Sequence, residues 1–531
     1  MNHKVKSSIF NDVLGPVMRG PSSSHTAASW RIARMAVQLL DDELLNALIE
    51  FDRNGAWASN FLEQGTTLGM NGGLMGIDMT DEIILDHEVI AKQRGLKIEY
   101  RISDFHTDHP NTMRIRLQEI TGRYLSLTAV SSGGGMIEIR KLNNFEIRLY
   151  GDTHVLALFF DEELQPGLRK KIELECPADY SAEWSEDDGK VLLLIKSSLD
   201  IPDKFIHHLR RNYEIDSIAK AAPVLPIVSG NEKELLFDSV GTMLEFGNTQ
   251  KLSLGQLGIV YEQGRSGLDK EVLINKMKEL ISIIENSISR GLEGTIYRDR
   301  ILHHQSHLIA KSAEEGRIMS DMLTNNIISN VTALMEVKSS MGIIVAAPTA
   351  GSCGTLGGTI KAMADYTGVS YEEKVLAYFA AGMIGIFIAE GPGFSAEAFG
   401  CQVECGAASS ITAAALVELS GGNVKQAVDA ASMAYQNMIG LICDPIADRV
   451  EAPCLGKNIS AAMNALSSSS MSLAGYDAVI PLDQVILTVA AVGHSIPFEL
   501  KCTGLGGLSV TPRALEIKGL LKNMGSEPSK S

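Results

Sequence analysis

The stretch Gly400–Lys457 constrains this chain most. It carries Gly400-Cys401-Gln402, Cys443-Asp444-Pro445 and Pro453-Cys454, three cysteines separated by forty-one and then ten residues, each beside a turn former. Between the first two lies Ala407–Ile442, rich in Ala, Gly, Ser and Met, a composition that predicts closely packed helices. A chain that returns two helices later to present another turn-borne thiol is building a site. With seven cysteines in 531 residues and no apolar signal-like run after Met1, the thiols are expected in a reducing compartment, the cytoplasm by default. There they bind metal or stay free. No C-x-x-C pair is present, which disfavours a zinc ribbon. Three thiolates at Cys401, Cys443 and Cys454 fit an iron–sulfur cluster with one iron open to a substrate. On spacing alone, a redox disulfide or inert buried thiols remain open alternatives.

The remaining composition excludes several classes. A net charge of −17 without a basic patch argues against nucleic acid. The longest apolar run, Val375–Ala389, falls short of the ~20 residues a membrane span needs and reads as a buried helix. A length of 531 residues predicts about two to four domains.

In chain order, Gly15-Pro16-Val17-Met18-Arg19-Gly20-Pro21 fixes a loop, Ser22-Ser23-Ser24-His25-Thr26 follows, and Ala27–Leu40 has helical periodicity. A Ser/Thr-rich turn opening a helix offers hydroxyls and free N–H groups to an anion. Strands are expected over Lys97–Ile102, Thr112–Leu117, Tyr124–Val130 and Met136–Arg140, giving an α+β domain over residues 1–142. The His106/Asp108/His109 group reads as a turn rather than a metal site. Residues 143–228 follow the order β-α-β-β-α-β of a ferredoxin-like module, with a spacer role and an effector-binding role both open. From 231 to 531 the pattern is all-α, with helices over Asp269–Gly291, Ile309–Lys338, Tyr371–Ala389, Ala407–Leu419, Asn423–Leu441 and Ile459–Leu473. Cys353 lies in a glycine-rich loop, Ala346–Gly354, that should approach a ligand, and Cys405 follows Cys401 at a helical-turn offset.

These motifs together resemble the iron–sulfur-dependent L-serine dehydratases (L-serine ammonia-lyases), end to end. Gly15–Thr26 is similar to that family's β-domain signature, and Pro110-Asn111-Thr112 and Ser132-Gly133-Gly134-Gly135 fall where the family places them. The middle module resembles an ACT domain. Met341–Gly358, Gly400–Glu404, Gly440–Asn458 and Thr503–Pro512 resemble the α-domain. The resemblance implies a lyase with a [4Fe–4S] cluster on Cys401, Cys443 and Cys454, no pyridoxal phosphate, a small amino-acid substrate and a homodimer. It also implies that Ser23, Ser24, His25 and Thr26 hold the substrate carboxylate, with Thr66, Thr349 and Ser352 lining the pocket.

The chain departs from the family pattern in its substrate shell. Glu63-Gln64-Gly65-Thr66-Thr67 stands where the family has Gly-His-Gly-Thr-Asp, and Gln64 cannot act as a base. Glu390-Gly391-Pro392-Gly393 replaces an Asn-bearing segment, and Asp448-Arg449 a small–apolar pair. His25, Lys457 or Glu390 is then expected to supply the base. Three readings follow: dehydration of L-serine, elimination from L-cysteine or L-threonine, or a silent cluster-bearing sensor. The tail Gly525–Ser531 contains no thiol to cap an open iron.

Overall fold

Alternation of apolar and polar residues builds the first layer. The computed structural model describes residues 6–161, 164–177, 180–229, 235–318 and 321–525. Met1–Val5, the start of the helical half at Asn231 and the tail beyond Gly525 lie outside the described residues. Strand β1 (Val17–Met18) comes first, then β2 (Leu44–Asp52), β3 (Lys97–Ser103), β4 (Thr112–Glu119), β5 (Tyr124–Gly133), β6 (Met136–Leu142) and β7 (Phe145–Leu149). The last six form one sheet in the order β3-β2-β4-β5-β6-β7, with only β2 and β3 parallel. Its covered face presents Ile49, Phe51, Met113, Ile115 and Leu127 to the helices Ala28–Gln38 and Thr66–Leu74. Because β7 pairs with β6, this sheet runs past residue 142 to Leu149.

Strands β8 (His154–Phe160), β9 (Ser181–Asp187), β10 (Lys190–Ser197) and β11 (Ser217–Ala221) make a second, antiparallel sheet in the order β11-β8-β10-β9. The helices Pro166–Glu175 and Asp203–Asn212 intervene, so the chain follows the expected β-α-β-β-α-β order. One face packs Leu156, Leu158, Leu193 and Ile195 on those helices. The other sends Ala157, Leu192 and Leu194 into the core of the first sheet.

The C-terminal part is helical. Tyr371–Glu390 and Cys405–Leu419 are apolar almost all round and are buried at its centre. The run Val375–Ala389 sits inside the first of these, and no described helix is long and apolar enough to cross a membrane. The single helix expected over Ile309–Lys338 is two, Ser306–Glu314 and Met322–Ser339. Gly316, at φ 66°, turns the chain out of the first. Asp321 caps the second by accepting from the Thr324 N–H at 2.8 Å.

The two halves interlock through the first residues of the chain. Ile9–Val13 forms a π-helical turn against Tyr371–Glu390, where Gly382 and Gly385 clear room for it. A Cβ at Gly382 would lie 2.4 Å from Ile9 Cγ2, and one at Gly385 2.2 Å from Val13 Cγ1. The buried Glu262 carboxylate accepts from Ser8 Oγ (2.7 Å) and the Ile9 N–H (2.8 Å). Strand β1 then pairs antiparallel with β12 (Ile344–Val345), bringing the Ser22–Thr26 turn and the Thr349–Ser352 loop to the same place.

Candidate active site

The serine-rich turn is fixed by its own backbone. Ser23–Ala27 is a π-helical turn that leads into the helix Ala28–Gln38. The helix Thr66–Leu74 crosses it so closely that a Cβ on Gly69 would sit 1.9 Å from the Thr26 carbonyl oxygen. Thr26 donates to the Gln64 carbonyl (3.0 Å) and Ser29 to that of Thr66 (3.0 Å). Thr26 is therefore a staple of this crossing. The Thr66 hydroxyl is buried without a hydrogen-bond partner.

Ser24 and His25 meet a carboxylate from the helical half. Ser24 Oγ donates to Glu397 at 2.6 Å, and His25 Nδ1 lies 3.0 Å from Ser24 Oγ and 3.5 Å from the same Glu397 oxygen. On the other side of the ring, Nε2 is 2.9 Å from Asn60 Oδ1. Asn60 spends its amide N–H on the Cys502 carbonyl (3.2 Å), so its oxygen faces the imidazole and accepts from Nε2–H. This leaves Nδ1 as an acceptor beside Glu397; with Ser24's proton given to that carboxylate, the Ser22 hydroxyl at 3.2 Å is the donor to it. His25 is 0% exposed, and burial holds its imidazole below the ordinary value. Ser23 crosses to the other wall, accepting from the Ala350 N–H at 3.2 Å. There Thr349 and Ser352 bond each other at 3.1 Å, and Ser352 also donates to the Ala347 carbonyl.

The thiols lie behind this wall. Cys401 opens a short 3-10 turn, held by Gln402, whose amide donates to Phe399 and Val489 carbonyls and accepts from Gly440 N–H. Cys443 is bound through its backbone to Leu500 and Cys502, each at 2.9 Å. Cys454 begins the helix Cys454–Leu473, where the N-terminal dipole favours negative charge. Cys401, Cys405, Cys443 and Cys502 share one buried cluster. Asn458 ties Cys454 to the opposite loop: its amide donates to the Gly351 (2.7 Å) and Cys454 (2.9 Å) carbonyls, and its oxygen accepts from Thr355. A hydrogen bond from Cys405, with Lys457 adding to it, overcomes burial and brings Cys401 down to about 7. Burial pushes Cys454 up to about 12. No three His, Cys, Asp or Glu side chains among the described residues converge as they would around a single metal ion.

Of the three groups expected to supply the base, two are engaged elsewhere. Lys457 donates to Asp444 Oδ1 (2.7 Å) and the Ile442 carbonyl (2.8 Å), so its ammonium serves as a fixed positive charge beside the thiols. Glu390 accepts from the Ser7 N–H at 2.7 Å, in the interlock between the halves. Cys353 packs its sulfur 4.0 Å from that of Met335, and burial raises it to about 11. Gln64 donates to Cys502 Sγ at 3.6 Å. His106 is exposed and Asp108 pairs with Arg140, as a surface turn would.

A serine dehydratase alpha chain model matches residues 207–509, more than half of the chain. The chain belongs to the serine dehydratase alpha-chain family. It is 33% identical over 283 residues to a probable L-serine dehydratase alpha chain of Bacillus subtilis, covering 53% of this chain and 94% of that one. A probable L-serine dehydratase beta chain of the same organism is 43% identical over 152 residues, 29% of this chain and 68% of that one. An L-serine dehydratase of Streptomyces coelicolor is 26% identical over 497 residues, 92% of this chain and 96% of its own.

Within this serine dehydratase frame, sequence reasoning passed over Glu397, Asn60, Glu404 and Lys338. Glu397 sits on a four-residue helix in a small-residue segment, and its only signal was an acidic side chain four positions before Cys401. Burial, with Cys401 and Glu397 nearby, raises Glu404 to about 8. Lys338 is fully buried on Met322–Ser339 and donates to the Val450 carbonyl.

Proposed function

We propose that this lyase removes water from L-serine to give pyruvate and ammonia, in a pocket walled by Ser23, Ser24, His25, Thr66, Thr349 and Ser352. The observation that carries the reading is the buried group Ser24–Glu397–His25–Asn60, assembled from both halves and tied through Asn60 to Cys502. Three further buried polar side chains of the first domain support a ligand. The side chains of Asn111, Ser131 and Thr66 are buried and carry unpartnered donors or acceptors.

The donor set is chemically suited to a [4Fe–4S] cluster on Cys401, Cys443 and Cys454. All three are buried and free, each is held by a backbone or side-chain staple, and Lys457 and Lys338 supply positive charge. When bound, such a cluster supplies a Lewis acid for the departing β-hydroxyl.

The chain's own residues do the rest. Free hydroxyls and the Asn111 amide bind the carboxylate and ammonium of the substrate. Neutral His25 takes the Cα proton at Nδ1, where Glu397 stabilises the imidazolium and Asn60 holds the ring. Loss of that proton and of hydroxide, leaving as water, gives 2-aminoacrylate. Tautomerisation and hydrolysis then yield pyruvate and ammonia. Burial of every group keeps bulk water from the proton before elimination. An ACT-like role for the four-stranded module, a homodimer and a cytoplasmic location belong to the same reading.

The test is an anaerobic assay of reconstituted protein with L-serine, L-threonine and L-cysteine. Pyruvate from serine, lost on exposure to air, is expected. Sulfide from cysteine or 2-oxobutyrate from threonine as the main product would move the substrate. Iron–sulfur loading without turnover would make the protein a sensor.

A further inference from the structure

A cavity of about 580 Å³ lies outside this site, where the first domain, the linker after β11 and the helix Lys270–Glu293 meet. That volume is in the range of small-molecule sites. Its apolar wall includes Phe10, Leu14, Trp30, Leu225, Leu280 and Ile283. Three cations line it, Arg31, Arg34 and Lys276. Arg31 is 1% exposed; one of its amino groups donates to the Gly135 carbonyl at 2.6 Å, and its Nε has no acceptor. Burial pulls it down to about 10, with the charge of Asp12 opposing the shift. Among the described residues, neither Arg34 nor Lys276 has a hydrogen-bond or ion-pair partner. A buried guanidinium with an idle donor is costly unless something anionic completes it.

We infer that this cavity binds a small monocarboxylate with an apolar, branched or aromatic body. The carboxylate takes the idle donors of Arg31 and Arg34, and the body lies against Trp30, Leu280 and Ile283. Two carboxylates, Asp78 and Glu279, also line the cavity and oppose a second negative charge, which selects a monoanion over a phosphate. The walls give the occupant a route to the active site. Leu14–Val17 runs directly into the Ser22–Thr26 turn through β1, and Ala222–Pro226 runs out of the four-stranded module. Binding here holds the module, the first domain and the helical half in one arrangement.

Two sources share this chemistry, apolar amino acids and their 2-oxo acids. Calorimetry on the full-length protein with L-leucine, 4-methyl-2-oxopentanoate and inorganic phosphate separates them, with Trp30 fluorescence as a second readout. One organic acid is expected to bind at one site per chain. Arg34→Gln should weaken it about tenfold or more, and Leu280→Trp, which fills the cavity, should abolish it. Arg31→Gln would also remove the bond to the Gly135 carbonyl and so disturb the fold. Binding of neither organic acid, binding of phosphate alone, or unchanged affinity in both variants would overturn the assignment. These readings need no turnover, so they stand apart from the dehydratase proposal.

Discussion

At the scale of single residues, the site rests on one carboxylate that the sequence hid. The thiols and Ser-Ser-Ser-His-Thr were legible because cysteine beside turns and clustered hydroxyls are unusual in a chain of ordinary composition. Glu397 was not, because its partners Ser24 and His25 stand more than 370 positions away and only the interlock of the halves joins them. Glu397→Gln keeps the shape and removes the charge that steadies a protonated His25. Turnover of L-serine should fall about 100-fold or more with KM little changed, and the far-UV circular dichroism should match the parent. Asn458, with bonds to Gly351, Thr355 and Cys454, is the residue whose loss should cost most outside the proton path. Asn458→Ala leaves several buried groups unpaired, a loss of about 2–3 kcal/mol to be read from a denaturant melt.

Helices and strands were read well where burial is one-sided. Thr112–Glu119 and Phe145–Leu149 alternate buried and exposed positions as strands on a covered sheet do, yet only the first was assigned. Strand β2, Leu44–Asp52, buries Ala47, Ile49 and Phe51 in alternation, but Leu44-Leu45 and Leu48-Ile49 break the apolar–polar alternation that would mark it in the sequence. The crossing of Thr66–Leu74 over the serine turn is the element contact on which the site depends. Gly69→Ala should push these elements apart, costing about 1–3 kcal/mol and most of the activity, read by melting temperature and rate. The interlock titrates as well. Burial raises Asp12 to about 6; the Ser8 N–H and Arg265 oppose this shift, while Glu262 and Glu390 add to it. The folded state therefore holds this proton more tightly than the unfolded chain. Stability drawn from it is present below the ordinary carboxylate range and lost as pH rises toward and through about 6. Asp12→Asn should flatten the fall in melting temperature across that window.

For the whole molecule, the helical character of the C-terminal half followed from composition; strand β12 within it, and its place against the sheet domain, did not. Docking depends on Ile9 and Val13 seated at Gly382 and Gly385, a fit between side-chain volume and glycine surface that no local pattern announces. Because this seat is buried and bonded at both ends, the halves should hold together without the peptide between them. A chain opened within residues 230–234 should copurify as one complex, and removing residues 1–14 from it should separate the pieces on gel filtration. The most direct test of the central claim is iron and sulfide content, with visible absorbance, of anaerobically purified parent and Cys443→Ser protein assayed for pyruvate from L-serine. The account expects a coloured, iron-loaded, active parent and a bleached, inactive variant. A colourless, iron-free parent that turns over serine fully, or an undiminished variant, would contradict it.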